Sequence, residues 1–249
     1  MFEKIGIRQV DSHVWLMDDA GEATGYLVVG EKRAAVIDTM NGDEDVKAVV
    51  RTVTDLPLIV INTHGHCDHI GGNPYFEETY LNPADFELAE EHGNFPELIE
   101  YRKQHGLSMP ANKPVRGGDT FDLGGLTLEI TELAGHTHGG ILILLKEDRI
   151  LFTGDAVNRH LWLQLSCCLT PAESADELEK VLFLKDKADR ILHGHAKDFE
   201  PVTLMDELLK GLRDLAAGKT ENDSDYHYFD GDARQHPFAE NSVIVYPKA

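Results

Sequence analysis

Cysteine is scarce in this chain of 249 residues, with three in all: Cys67, Cys167 and Cys168. An odd, sparse count excludes a disulfide-stapled scaffold and predicts a reducing, cytoplasmic setting. No apolar run approaches the roughly 20 residues that a membrane-spanning helix needs, so no membrane partner is expected. Met1–Val10 scatters Glu3, Lys4 and Arg8 instead of placing a basic start before an apolar core, which predicts no secretory leader. Basic residues are also few. Lys and Arg total 23 against 44 Asp and Glu, a formal net charge of −21. Such a field repels polyanions at long range, which argues against nucleic acid and for a small-molecule substrate. Flexible linkers and low-complexity tracts are missing, and 42% hydrophobic content over this length supports a full core. A single domain over residues 1–249 is the expectation.

Histidine, by contrast, is concentrated. His64-Gly65-His66-Cys67-Asp68-His69 follows the apolar run Leu58-Ile59-Val60-Ile61 and sets three imidazoles and a carboxylate within one hexapeptide. The run reads as a buried strand, so the cluster falls where a rigid element gives way to a loop that can bend side chains toward one point. Imidazole with carboxylate suits zinc, manganese or iron, and the lack of outer thiolates argues against a structural zinc knuckle. Cys67, squeezed between better-placed donors, is expected to point away. Further donors also follow apolar segments. Leu126–Ile130 runs into Gly135-His136-Thr137-His138-Gly139-Gly140, Ile150–Phe152 into Thr153-Gly154-Asp155, and Arg190–Leu192 into His193-Gly194-His195. Glycine beside each donor lets the backbone turn sharply and bring the next side chain inward.

Taken in order from Asp38 to His195, these residues resemble those of the metallo-beta-lactamase-fold superfamily of metallohydrolases, most specifically in Thr63–Gly72. The resemblance implies one metal on His64, His66 and His136, a second on Asp68, His69 and His195, and Asp155 bridging the two. The implied cofactors are two divalent ions, zinc first, with manganese or iron as alternatives. Asp38, ending Ala34-Ala35-Val36-Ile37, matches an aspartate that the family places behind the metal loop, where it would orient a ligand; a plain turn aspartate accounts for it equally. The implied fold class is α/β, an αββα sandwich of two similar halves with the metals at one edge. The implied function is a metal-dependent hydrolase, in which a metal-bridging hydroxide cleaves a small ester, thioester, lactone or related bond. Asp68 would serve as the catalytic residue, orienting the nucleophile and passing on its proton.

Within the superfamily, Gly135-His136-Thr137 and Phe152-Thr153-Gly154-Asp155 look like the glyoxalase II branch. That branch holds glutathione with a longer, more basic C-terminal region than Gly218–Ala249 supplies. Aspartate at position 155 departs from several true lactamases, and the charge of −21 argues against RNA phosphodiesterases. A lactonase matches in length only. The alternative reading is a mononuclear-iron oxidoreductase similar to the persulfide dioxygenases, which would need oxygen; a metal-free binding module is disfavoured by the complete donor set.

Periodicity supplies the remaining elements. Strands are expected near Ile5–Arg8, Val14–Met17, Tyr26–Val29 and Ala34–Ile37, and a closing one at Ser242–Tyr246. Helices are expected over Glu44–Arg51, Ser174–Lys185 and Pro201–Ala217, the last burying Leu204, Leu208, Leu212 and Leu215. The stretch Tyr80–Val115 reads as a helical insertion near residues 80–115, either a lid over the metal edge or a solvated excursion. His160 is a candidate for the substrate side, His138 a loop histidine, and His193 could face either way. Tyr226–Phe229 could cover the pocket or pack the tail, and Glu221–Asp225 reads as an exposed loop. Trp15 and Trp162 are expected in the core or a pocket wall.

Overall fold

The computed structural model describes residues 3–229 and 231–248. Four antiparallel strands open the chain: β1 (Ile5–Gln9), β2 (Val14–Asp19), β3 (Ala23–Val29) and β4 (Ala34–Ile37). Helix α1 (Val46–Arg51) follows, its first turn capped by Asp45, whose carboxylate accepts from the Ala48 amide. Strand β5 (Leu58–Ile61) then returns parallel to β4. The short α2 (Cys67–Ile70) precedes β6 (Glu78–Leu81), α3 (Phe86–Gly93), α4 (Pro96–His105) and β7 (Ala111–Pro114). These seven strands form one sheet in chain order.

Strands β8 (Thr120–Asp122), β9 (Thr127–Glu132), β10 (Ile141–Leu145) and β11 (Ile150–Gly154) start a second sheet, and β12 (His160–Trp162) departs from it. After α5 (Pro171–Lys180), β13 (Arg190–His193) returns parallel to β11, with β14 (Glu200–Pro201) at its edge. Helix α6 (Leu204–Ala216) leads to β15 (Ser224–Tyr228), β16 (Gly231–Ala239) and β17 (Ser242–Pro247), which join β12 in a third sheet ordered β12-β17-β16-β15.

Period-two alternation decides which side of each strand meets which core. Val14 and Leu16 in β2, Tyr26 and Val28 in β3, and Ile59 and Ile61 in β5 face inward. They meet Leu128, Ile130, Ile143 and Phe152 of the second sheet. The intervening Met17, Leu27, Val36 and Val60 face outward and are covered by Val46, Val49 and Val50 of α1. On the far side, Leu142, Leu144 and Leu151 are covered by Leu178 of α5 and by Leu204, Leu208 and Leu212 of α6. Helix, sheet, sheet, helix is the αββα order expected. Among the described residues, no helix is long and apolar enough to cross a membrane.

Three segments differ from expectation. Helix α5 starts at Pro171 behind a Thr170/Glu173 capping box and ends at Lys180; the chain then tightens into a 3₁₀ turn, Leu182–Asp186, which carries Leu184 into the core. The insertion holds a strand as well as helices: α3 packs Ala89 and Phe86 against Ile70 of the metal loop, while β7 extends the first sheet. The expected exposed loop Glu221–Asp225 is corrected at two points. Ser224 and Asp225 belong to β15, and the Asp223 carboxylate is buried, accepting from His236 Nδ1 at 2.7 Å and Tyr246 OH at 2.6 Å.

The parallel pairs bring the donor-bearing loops to one edge. Ile37 of β4 stands beside Ile61 of β5, and Phe152 of β11 beside Leu192 of β13. Residues 38, 62–69, 155 and 195 therefore all emerge from carboxyl ends of strands, as does the loop after β9 that carries His136. Ligands bind at such edges in α/β proteins, because the loops there can diverge around a crevice.

Candidate metal centre

All seven side chains singled out by the sequence converge at this edge, in two groups whose donor atoms lie within 4.8 Å of one another. His64, His66 and His136 form the first. His66 Nδ1 lies 3.1 Å from His64 Nε2 and 2.9 Å from His136 Nε2. Asp68, His69, Asp155 and His195 form the second. Here His195 Nε2 is 2.9 Å from Asp155 Oδ2, and His69 Nε2 is 3.5 Å from Asp68 Oδ2. Asp155 Oδ2 also lies 3.9 Å from His136 Nε2, so this carboxylate stands between the groups.

The far side of each ring fixes which nitrogen is free. His136 Nδ1 meets the Trp162 carbonyl at 2.8 Å and His195 Nδ1 the Glu22 carbonyl at 2.7 Å. A carbonyl only accepts, so both Nδ1 atoms carry hydrogen and in both rings it is Nε2 that faces the site. His69 Nδ1 donates to Asp38 Oδ2 at 2.9 Å. His64 Nδ1 lies 3.1 Å from Thr63 Oγ1, whose own hydrogen goes to Asp38 Oδ2 at 2.7 Å, which leaves this Nδ1 as donor as well. Asp38 further accepts from the Thr63 amide at 2.7 Å. One buried carboxylate thus ties the end of β4 to the metal loop after β5. Its φ of +58° is a left-handed conformation that aspartate tolerates better than most side chains.

Electrostatics separate the groups. Burial keeps His64 well below its ordinary value and His66 down at about 2, so both are neutral donors at pH 7. Burial also opposes charge on His69, but the carboxylates of Asp68, Asp155 and Asp38 outweigh it and hold this imidazole well above its ordinary value. Asp155 lifts His195 to about 9. Burial would raise Asp155 and Asp68, yet the facing imidazoles hold both below the usual carboxylate range.

Two buried polar atoms in the second group, His69 Nε2 and Asp155 Oδ1, have no hydrogen-bond partner among the described residues, although they lie 3.7 Å apart. Buried donors and acceptors are rarely left unpaired, and a cation held by both would satisfy them together. Four imidazoles with committed Nδ1 hydrogens, a fifth turned in by Nδ1, and two carboxylates are a donor set fitted to divalent metal.

Other histidines and cysteines fall outside both groups. His138 is exposed on its loop. His193 is buried and accepts from the His195 amide at 3.2 Å, shaping the turn. Burial pushes the Cys67 thiol up to about 11, and its amide donates to His92 Nδ1 at 3.3 Å. Trp15 packs on the outer core under α1. Cys167 Sγ, by contrast, lies 3.4 Å from His66 Nε2, and the His92 ring packs at a tilt against His66 with centroids 4.8 Å apart.

Asp85 is the residue that sequence reasoning passed over. Buried in the insertion, it accepts from Gly65 N at 3.0 Å, Thr137 Oγ1 at 2.7 Å and Gly139 N at 2.6 Å. It pins the His64–His69 loop to the loop bearing His136. The available signal was Gly139 itself: a Cβ there would meet Asp85 Cγ at 2.7 Å, so only glycine admits the carboxylate.

The family model of the metallo-beta-lactamase superfamily matches residues 18–195, and the chain belongs to that superfamily. It is a hydrolase of this superfamily with a His/Asp metal-binding cluster. Acyl-coenzyme A thioesterase MBLAC2 of Gallus gallus is 26% identical over 212 residues, covering 73% of this chain and 75% of that relative. A hydroxyacylglutathione hydrolase of Erythrobacter litoralis is 34% identical over 126 residues, or 49% of this chain and 43% of the relative. A solved metallo-beta-lactamase from Pontibacter korlensis aligns with a TM-score of 0.66 at 19% identity, over 84% of this chain and 99% of that one, a likeness of fold.

Proposed function

We propose that this chain is a dinuclear metal-dependent hydrolase of small thioesters. The observation that supports the two-metal reading is the pair of donor groups meeting at Asp155, with His69 Nε2 and Asp155 Oδ1 buried and unpaired within the second. His64, His66 and His136 would hold one ion, Asp68, His69 and His195 the other, and Asp155 both. Zinc suits these donors best, with manganese or iron next. Such ions supply Lewis-acid polarisation of a carbonyl and hydroxide at neutral pH. The thioester choice is supported by the thioesterase relative, which aligns over most of both chains.

The protein's own groups then have defined tasks. Asp38, the Trp162 carbonyl and the Glu22 carbonyl hold His69, His136 and His195 in single tautomers, so the donors need no reorientation when an ion binds. Asp68 is the most open of the group's carboxylates, its side chain 31% exposed against 11% for Asp155. It would accept a proton from attacking water at the carboxylate oxygen that the ion leaves free and return it to the leaving sulfur. No serine or cysteine nucleophile is required.

Elemental analysis and a thioester panel read by thiol release test the proposal. About two zinc or manganese ions per chain, with turnover that persists without oxygen, is the expected result. One iron per chain with oxygen-dependent consumption of a thiol adduct would overturn it in favour of the persulfide dioxygenase-like alternative.

A further inference from the structure

The third sheet carries rings that neither core absorbs. Its edge strands β12 and β15 are separated by two others, which in a flat sheet would place them about 14 Å apart. Yet the Trp162 ring of β12 lies 6.2 Å from Tyr226 and 5.7 Å from Tyr228 of β15, centroid to centroid, and 5.9 Å from Phe229. These rings therefore lean together over one face of the sheet and cover its middle strands. Leu161 points the other way into the core under α6, which leaves His160 and Trp162 together on the ring-lined face. His160 meets Tyr226 edge to face, with ring centroids 5.3 Å apart.

This lining adjoins the metal centre. The backbone oxygen of Trp162 accepts from His136 Nδ1 on the outer side of that ring, so the aromatic strand backs directly onto a metal-donor histidine. It is also open: Phe229 is 96% exposed, and Trp162, Tyr226 and Tyr228 remain partly exposed. Grouped exposed aromatics mark a binding surface more often than scattered ones. Its cations are engaged. Arg234 and Lys248 pair with Asp225, and Arg159 forms a two-pronged contact with Glu200. An anionic group would gain no charge partner from them.

We infer that Trp162, Tyr226, Tyr228 and Phe229 form the subsite for an apolar, uncharged acyl group, aliphatic or aromatic, whose carbonyl reaches the metal centre. This rests on the proposed hydrolase function, and the test separates the two. The chain has two tryptophans, so a Trp15→Phe background leaves Trp162 as the sole indole fluorophore. Octanamide serves as an apolar probe, acetamide as its short control. The expected result is a saturable blue shift of Trp162 emission with octanamide alone, weakened about tenfold by Phe229→Ser. Because Phe229 is almost wholly exposed, that variant should fold normally. In turnover, Phe229→Ser and Tyr228→Ser should lower the preference for octanoyl over acetyl thioesters about tenfold, through KM. Trp162 emission indifferent to octanamide, or an acyl preference untouched by both variants, would overturn the subsite and leave the hydrolase standing. A saturable Trp162 response in a protein that cleaves no thioester would support the subsite and overturn the choice of thioesters as substrates.

Discussion

Replacing Asp85 with asparagine exchanges one carboxylate oxygen for an NH2 group and removes a charge, with almost no change of shape. The three groups that Asp85 accepts from are the Gly65 amide, the Gly139 amide and the Thr137 hydroxyl. Only the hydroxyl can turn around to accept. The better amide orientation keeps oxygen toward Gly65 and Thr137 and sets NH2 against the Gly139 amide, a buried donor facing a donor. Leaving one buried donor unpaired costs about 1–3 kcal/mol, and the two surviving bonds lose their charge assistance. The sum is about 2–4 kcal/mol of stability, measurable by urea unfolding of the chelated protein. Because Asp85 joins the loop of His64 and His66 to that of His136, metal affinity of the three-histidine group should fall about 10–100-fold. Asp85→Ala, which strands all three donors, should be worse on both counts. An Asp85→Asn protein within about 0.5 kcal/mol of the parent, with unchanged metal content, would refute this account of the two loops.

Asp155→Ala should lose or scramble both ions and abolish turnover; a fully metallated, active variant would remove Asp155 from its place between the groups. Chelation should lower the melting temperature, since free metal at 100 times its Kd stabilises the folded state by about 2.7 kcal/mol. An unchanged melting temperature after demonstrated metal loss would contradict that. The pH dependence should differ between the groups. His195, lifted to about 9, and His69, also raised, carry protons in the chelated protein at pH 7, so metal must displace them and affinity drops as pH falls below about 9. His64 and His66 are lowered and neutral at pH 7, and offer no such competition. Calorimetric titration in buffers of different ionisation enthalpy should therefore find proton release in one binding event and little in the other; equal release would refute the assignment.

What the sequence disclosed was governed by distance along the chain. Strand ends such as Ile59-Val60-Ile61 and Ile150-Leu151-Phe152 are local apolar runs, and the donors that follow them sit beside glycines, so both strand and donor could be read without the fold. Asp85 could not be read this way, because its partners Gly65 and Gly139 lie 20 and 54 positions away. The Glu22 and Trp162 carbonyls that orient His195 and His136 were beyond reach for a different reason: a backbone oxygen has no residue type to betray it. In the third sheet β17 was expected but β15 was missed, because Ser224-Asp225-Tyr226-His227-Tyr228 alternates polar with aromatic residues and contributes rings to an open face, so it lacks the apolar signal of a core strand. Asp223 shows the same limit, an acidic residue in an acidic run whose burial depends on His236 and Tyr246 folding back over it.

Each donor group draws on both large sheets, since His64, His66, Asp68 and His69 follow β5, whereas His136, Asp155 and His195 follow β9, β11 and β13. Ions held there would act as a removable cross-link across the mouth of the sandwich, in a protein whose three thiols are all free. Resistance to proteolysis would then track the supply of free metal, falling where the ions are withdrawn and returning when they are restored.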